Sequence, residues 1–113
     1  MMSFNIDDLL PYLENEQHEL GIGELTFLLS GENTPEMAST LYTNRGVTYW
    51  MSGNVKEAYE DFENSVKYNH LNYVGYYNLH TFYAFSGNNF QALQSLCCAI
   101  SCLYLMRGQK NCN

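Results

Sequence analysis

Two stretches of this chain are nearly the same. Residues 52–62 read SGNVKEAYEDF, and residues 86–96 read SGNNFQALQSL. Superposing residues 39–72 on 73–106 gives these matching pairs: Tyr42 with Tyr76, Asn44 with Asn78, Tyr49 with Tyr83, Gly53 with Gly87, Ala58 with Ala92, Phe62 with Leu96 and Ser65 with Ala99. A fixed period, here of about 34 residues, predicts a repeated supersecondary unit.

The residue types within each copy predict a helical hairpin. Gly53 and Gly87 mark the turn, because glycine adopts the left-handed conformation that ends a helix. Thr34, Pro35 and Glu36 form a helix start signal, since they supply an N-cap, a first-turn proline and a negative charge. We therefore expect helices at about 35–52, 55–69, 73–86 and 89–106.

The N-terminal segment shows helical spacing but no third copy of the repeat. Ile6, Leu9, Leu10 and Leu13 are spaced as on one helix face, and Pro11 is expected to start or kink that helix. The stretch GELTFLLSG (residues 23–31) predicts a second short helix.

The period and the residue types resemble those of the tetratricopeptide repeat family. That resemblance implies an all-α fold, with two helical hairpins in a right-handed α-solenoid behind an N-terminal helical cap. The implied organisation is a cap and possible dimerisation segment at 1–34, a first repeat at 35–72, a second at 73–106 and a tail at 107–113.

The charge of the chain disfavours several classes of partner. Twelve acidic residues against five Lys and Arg give a net charge of −7, which argues against nucleic acid and against an anionic membrane surface. Residues 69–106 contain no charged side chain, but Asn, Gln, Ser and His interrupt them too often for a membrane span. The acidic N-terminus lacks signal-peptide features, so we expect a cytosolic chain with reduced cysteines.

The first helix of each hairpin is expected to line a concave groove that binds protein. Asn44 and Asn78 would bond to the backbone of an extended peptide, and Trp50, Tyr77 and Phe85 would hold its side chains. Core packing of some of these aromatics, Trp50 above all, is the alternative. Tetratricopeptide adaptors that bind acidic C-terminal tails use a clamp of Lys and Arg on these helices. Thr43 and Val47 occupy two of those places here, so that class of partner is not expected. The full groove set is Thr43, Asn44, Val47, Trp50, Met51, Tyr77, Asn78, Thr81 and Phe85.

The last predicted helix has large apolar residues in nearly every direction, so it needs cover on more than one side. These residues are Phe90, Leu93, Leu96, Ile100, Leu103, Tyr104, Leu105 and Met106. Two kinds of cover are open. A homodimer or a protein partner would bury this helix, or the N-terminal helices would fold back over it.

Two further stretches resemble the type III secretion chaperones that guard translocator subunits. They are GIGELTFLLSGENTPEMASTLY at 21–42 and YNHLNYVGYYNLHTFYAFSGN at 68–88. The resemblance implies a bacterial cytoplasmic chaperone that holds an apolar or amphipathic segment of a secretion substrate, although the third repeat of that family is missing here. A homo-oligomeric scaffold and a regulator that binds a partner enzyme are the alternatives.

The sequence offers no convincing catalytic or metal site, and we expect neither enzyme activity nor a cofactor. Cys98 and Cys102 are four apart in sequence, but no CxxC pair or nearby histidine completes a zinc site. We therefore expect Cys97, Cys98 and Cys102 to be buried as small apolar residues.

Overall fold

The chain folds into five α-helices that follow one another along its length. A computed structural model describes the backbone of residues 6–111 and the side chains of residues 16–108. The helices are α1 (Ile6–Leu29), α2 (Pro35–Met51), α3 (Val55–Tyr68), α4 (Tyr73–Phe85) and α5 (Asn89–Asn111). Residues 6–111 contain no strand, so the all-α prediction is confirmed.

The turns inside the two hairpins have the same geometry. Gly53 and Gly87 adopt positive φ angles of 87° and 78°. The next backbone N–H closes each turn in the same way: Asn54 donates to the Tyr49 carbonyl at 2.8 Å, and Asn88 donates to the Tyr83 carbonyl at 2.9 Å. The repeated sequence therefore encodes a repeated helix–turn–helix backbone.

Helices α2 and α4 start with side-chain caps. Thr34 Oγ1 accepts a hydrogen bond from the Met37 N–H at 3.1 Å. Asn72 caps α4 by accepting from the Gly75 N–H at 3.0 Å. The same Asn72 amide donates to Ser39 Oγ at 2.8 Å, so the start of α4 is bonded to α2.

Two parts of the chain differ from the sequence-based prediction. One continuous helix, α1, replaces the two short helices expected before residue 34, and it runs through both Pro11 and Gly23. Pro11 is the sixth residue of α1, so it removes one hydrogen bond from the ladder near the start of the helix but does not end the helix. The expected tail at 107–113 is helical through Asn111, since Gly108 does not adopt the positive φ that Gly53 and Gly87 adopt after their helices. Residues 112–113 lie outside the described chain.

Each helix packs mainly on its neighbours in sequence, in an array measuring 62 × 36 × 27 Å. Within the hairpins, burial recurs at equivalent positions: Ala58 and Ala92 are both buried, as are Ser65 and Ala99. Small residues at these positions let the two helices of each hairpin approach closely. Helix α1 contacts α2, where Arg45 Nη1 donates to Thr26 Oγ1 at 3.1 Å.

A small residue also allows the two hairpins to meet. A Cβ atom at Gly75 of α4 would lie 2.9 Å from Cγ1 of Val66 and would clash with Ser65 Oγ. The start of α4 is therefore in tight contact with the second half of α3.

Candidate protein-binding surfaces

Four residues of the predicted groove surround one small cavity between α2 and α4. Val47, Trp50, Asn78 and Thr81 line it together with the ring of Phe62, and its volume is about 80 Å³. That volume holds one small side chain and is too small for a helix. The rim is aromatic, since Trp50 meets Phe85 edge-on at a centroid distance of 5.4 Å.

The two repeated asparagines have different environments. Asn44 is exposed. Asn78 is half-buried, and its Nδ2 atom is buried without an acceptor among the described residues. An unsatisfied buried donor costs about 1–3 kcal/mol, so Asn78 is the groove residue with most to gain from a ligand acceptor.

Thr43 does not face the groove. It is only 5% exposed, donates to the Ser39 carbonyl at 2.9 Å and accepts from Asn72 Nδ2 at 2.9 Å. Its hydroxyl is fully used in holding α2 to α4. Met51, Tyr77 and Phe85 are exposed at 64%, 54% and 72%, but Tyr77 lines a different depression.

That depression is a larger, wholly apolar groove between α4 and α5. Its volume is about 330 Å³. The residues that line it are Tyr73, Val74, Tyr77, Leu96, Ala99, Ile100 and Leu103. Of these, Tyr77, Leu96, Ile100 and Leu103 belong to the surfaces predicted from the sequence, and Tyr73, Val74 and Ala99 do not.

The first hairpin shows what fits such a groove. The counterparts of Tyr73, Tyr77 and Ala99 in the first hairpin are Ser39, Thr43 and Ser65. Asn72 and Gly75 at the start of α4 pack on these three residues. The α4–α5 groove is therefore the second hairpin's copy of the surface on which α4 sits. Among the described residues no helix follows α5 to cover this groove. The Ser and Thr side chains of the first hairpin are replaced in it by two tyrosines and an alanine.

The outward face of α5 is also uncovered. Helix α1 packs on α2 and makes no contact with α5 among the described residues, so the fold-back alternative is wrong. Leu96 is half-buried and the other predicted residues are exposed. The exposed fractions are Phe90 77%, Leu93 61%, Ile100 57%, Leu103 41%, Tyr104 78%, Leu105 54% and Met106 37%.

Comparison with known proteins assigns this chain to no family, since a scan against family models and searches of curated proteins and of solved structures all found no match.

Helix α5 is the one described helix that is long and apolar enough to cross a membrane. The segment Asn89–Gly108 has a mean hydropathy of 1.2 in its best window, 17% of which is buried. Core helices of soluble proteins pass the same test, so length and composition alone assign no span. In this fold the buried side of α5 is held against α4, where His80 Nδ1 lies 2.9 Å from the Ala92 carbonyl.

The three described cysteines differ in environment. Cys97 is exposed, which corrects the prediction that it is buried; it lies on the side of α5 opposite Ala92 and Cys102. Cys102 is buried, its thiol donates to the His70 carbonyl at 3.2 Å, and burial raises its pKa. No group of three His, Cys, Asp or Glu residues with metal-binding geometry occurs in the described chain.

A second apolar surface lies at the other end of the array. Leu20 and Phe27 on α1 are 67% and 77% exposed, and they line a depression together with the carboxylates of Glu19 and Glu24. This surface mixes charge with apolar groups, whereas the α5 face carries no charge before Arg107.

Proposed function

We propose that this chain is a non-enzymatic protein-binding module that holds an amphipathic helix of another protein in the groove between α4 and α5. One observation carries the proposal: the equivalent surface of the first hairpin is covered by α4, and its copy in the second hairpin is open and apolar. The two hairpins in this proposal form a right-handed tetratricopeptide-like solenoid, whose next helical position is filled by the partner.

The chemistry of the groove defines the partner's contact face. Ser39 and Ser65 in the first hairpin accommodate the polar cap and the glycine of α4. Tyr73 and Ala99 take their places in the second, so the bound helix presents leucine-like side chains there. Because the chain carries a charge of −7, a basic outer face on the bound helix is favoured.

The proposed cellular role is a cytoplasmic chaperone in a bacterium that protects a segment of a secretion substrate before export. The resemblance of residues 21–42 and 68–88 to translocator chaperones supports this role. A regulator that binds a partner enzyme would use the same groove, and identifying the bound protein separates the two.

A defined peptide tests the groove. The probe is a fluorescent helical peptide with one leucine-rich and one lysine-rich face, and its control has the same composition with the leucines scattered. Binding of the first peptide and not of the second is expected in fluorescence anisotropy. Equal binding of both would mean that charge alone drives association and would refute the proposal.

Matched variants on α4 locate the binding site. Val74→Glu places a charge in the groove and should weaken peptide binding by at least about tenfold. Thr81→Glu introduces the same charge on α4 at the small α2–α4 cavity and should leave binding unchanged. If Thr81→Glu alone abolished binding, the small α2–α4 cavity and not the α4–α5 groove would be the binding site.

The partner in the cell is found with a photo-crosslinking amino acid. The benzoyl-phenylalanine side chain replaces Tyr77 in the groove and, as the control, Phe85 at the concave rim, both of which are aromatic and exposed. A protein captured from Tyr77 and not from Phe85 supports the proposal. Capture from Phe85 alone would contradict it.

A further inference from the structure

A stripe of five side chains runs along the outward face of α5, next to the groove. It consists of Phe90, Leu93, Cys97, Ile100 and Tyr104, and all five are exposed. Their alternating spacing of three and four is that of a helix that packs against another helix. Ile100 also lines the α4–α5 groove, and the other four residues of the stripe lie outside that groove.

The order of the side chains along the stripe is the same in both directions. An aromatic residue stands at each end, an aliphatic residue comes next on each side, and Cys97 lies in the middle. If two copies run antiparallel with their twofold axis near Cys97, Phe90 of one copy faces Tyr104 of the other. Leu93 then faces Ile100 to within about one helical residue, or about 1.5 Å. A stripe that complements itself in this way fits a second copy of the same chain.

From this arrangement we propose that the chain forms an antiparallel homodimer through the α5 stripe, with the two Cys97 side chains facing each other at the twofold axis. The small cysteine at the crossing point lets the two helices approach closely. Antiparallel helices also align their dipoles favourably. The inference goes beyond the proposed function and does not rest on it.

The charge distribution permits this contact between two acidic molecules. Nine of the twelve acidic residues precede position 60, whereas residues 69–106 carry no charge. A dimer through α5 therefore joins the neutral sides of two chains, each of which has a net charge of −7. The α1 surface, with Glu19 and Glu24, would bring like charges together instead.

The stripe supplies a substantial part of the apolar surface that a stable interface buries. Phe90 and Tyr104 are 77% and 78% exposed. A large aromatic residue buries about 150–250 Å² in a contact. With Leu93 and Ile100 added, each copy brings several hundred Å² of apolar surface, against roughly 800 Å² per partner in a standard interface.

A membrane is the rival occupant of this surface, and the packing of α5 disfavours it. Ala92 and Cys102 are buried, and the Ala92 carbonyl and the Cys102 thiol have partners in His80 and His70. Insertion of α5 would break these contacts and draw the polar turn at His70 towards lipid. A second copy covers the outward face and leaves them intact.

Cysteine crosslinking of the full-length chain tests the arrangement. A variant with Cys98→Ser, Cys102→Ser and Cys112→Ser keeps only Cys97 and should form a disulfide-linked dimer under mild oxidation, since facing side chains meet the distance limits of a disulfide. Cys97→Ser in the otherwise natural chain should give no such dimer. Crosslinking that persists in Cys97→Ser at an equal rate would overturn the proposed axis.

The oligomeric state under reducing conditions tests the interface without the disulfide. Light scattering should give twice 13.0 kDa for the natural chain. Leu93→Glu should reduce the mass to that of a monomer, while Gln91→Glu, the same charge at an exposed position of α5 away from the stripe, should leave the dimer unchanged. Far-ultraviolet circular dichroism of each variant shows whether its helices remain folded.

Two other outcomes of these measurements would contradict the dimer. A monomeric natural chain refutes it, and binding of that monomer to phosphatidylcholine vesicles would assign α5 to membranes. Assemblies larger than a dimer that survive Leu93→Glu would indicate contact through a surface other than the stripe. Loss of peptide binding in Val74→Glu with the dimer preserved separates this inference from the proposed function.

Discussion

Arg45 on α2 binds the carboxylate of Asp61 on α3 with two parallel hydrogen bonds, Nε to Oδ2 and Nη2 to Oδ1, each 2.8 Å long. Asp61 is only 2% exposed, so the pair lies between the helices of the first hairpin. The hydrogen bond to Asp61 is also the main reason that the pKa of Arg45 is raised. At the same positions of the second hairpin the chain has Leu79 and Ser95.

Breaking this pair from one side should destabilise the fold strongly. Arg45→Leu leaves the buried carboxylate without its partner, and we expect a loss of about 3–5 kcal/mol in the free energy of unfolding, measured by urea titration. The double variant Arg45→Leu with Asp61→Ser copies the second hairpin and should regain most of that loss. A double variant as unstable as Arg45→Leu alone would show that the first hairpin does not tolerate the leucine and serine that the second hairpin has at these positions.

Gly46 on α2 should not tolerate a methyl group. A Cβ at this position would lie 2.6 Å from Cε1 of the buried Phe62 ring and 3.1 Å from Cβ of Asp61. We expect Gly46→Ala to lower the free energy of unfolding by about 1–3 kcal/mol, because neither neighbour can move freely. Gly23→Ala is the matched control in α1, where the new Cβ has nothing within 4 Å. Its higher helix propensity should stabilise the protein by up to about 1 kcal/mol.

The hairpins were predictable because their turn residues are local signals. Gly53 and Gly87 each follow a serine and precede an asparagine, and their positive φ ends the helix locally. The N-cap Thr34 and the first-turn Pro35 likewise act over one turn. The residue at which α4 starts was predictable, but the hydrogen bonds from Asn72 to Ser39 and Thr43 on α2 were not. The sequence therefore predicts Thr43 in the groove, whereas its hydroxyl is buried beneath that asparagine.

The contacts between helices were harder to predict, since they depend on residues that differ between the two copies. Arg45 and Asp61 have no charged counterparts in the second hairpin, so comparison of the repeats gave no reason to pair them. Residues Tyr73, Val74 and Ala99 could have been found by carrying the contacts of the first hairpin forward by one repeat. That step requires knowing which side of the first hairpin α4 covers.

The stability of the fold should fall above pH 10 through Tyr59. Its hydroxyl is 3.0 Å from that of Tyr83, and this hydrogen bond, followed by burial, raises the pKa of Tyr59 above its usual value of 10.0. The neutral phenol is thus favoured by folding. The stabilisation is complete below pH 10 and is lost as the pH rises from there towards the folded pKa.

Urea titrations at pH 9 and pH 11 measure this loss. Tyr59→Phe cannot ionise, so its unfolding free energy should fall less between the two pH values, although it starts about 1 kcal/mol lower without the hydrogen bond. Some decline remains in the variant, because burial also raises the pKa of Tyr42 and Tyr76. An equal decline in both proteins would exclude Tyr59 as the source.

His80 is the second hairpin's counterpart of Gly46, and its side chain forms a hydrogen bond with α5. Its Nδ1 lies 2.9 Å from the Ala92 carbonyl. A carbonyl oxygen only accepts, so Nδ1 carries the proton, and ¹⁵N chemical shifts should report the Nδ1–H tautomer when the ring is neutral. His80→Asn places an amide N–H near the position of Nδ1 and should retain the bond. His80→Leu should cost about 0.5–1.5 kcal/mol in unfolding free energy relative to His80→Asn. If the two variants were equally stable, or if the shifts showed an Nε2–H ring, this hydrogen bond would not hold α5 to α4.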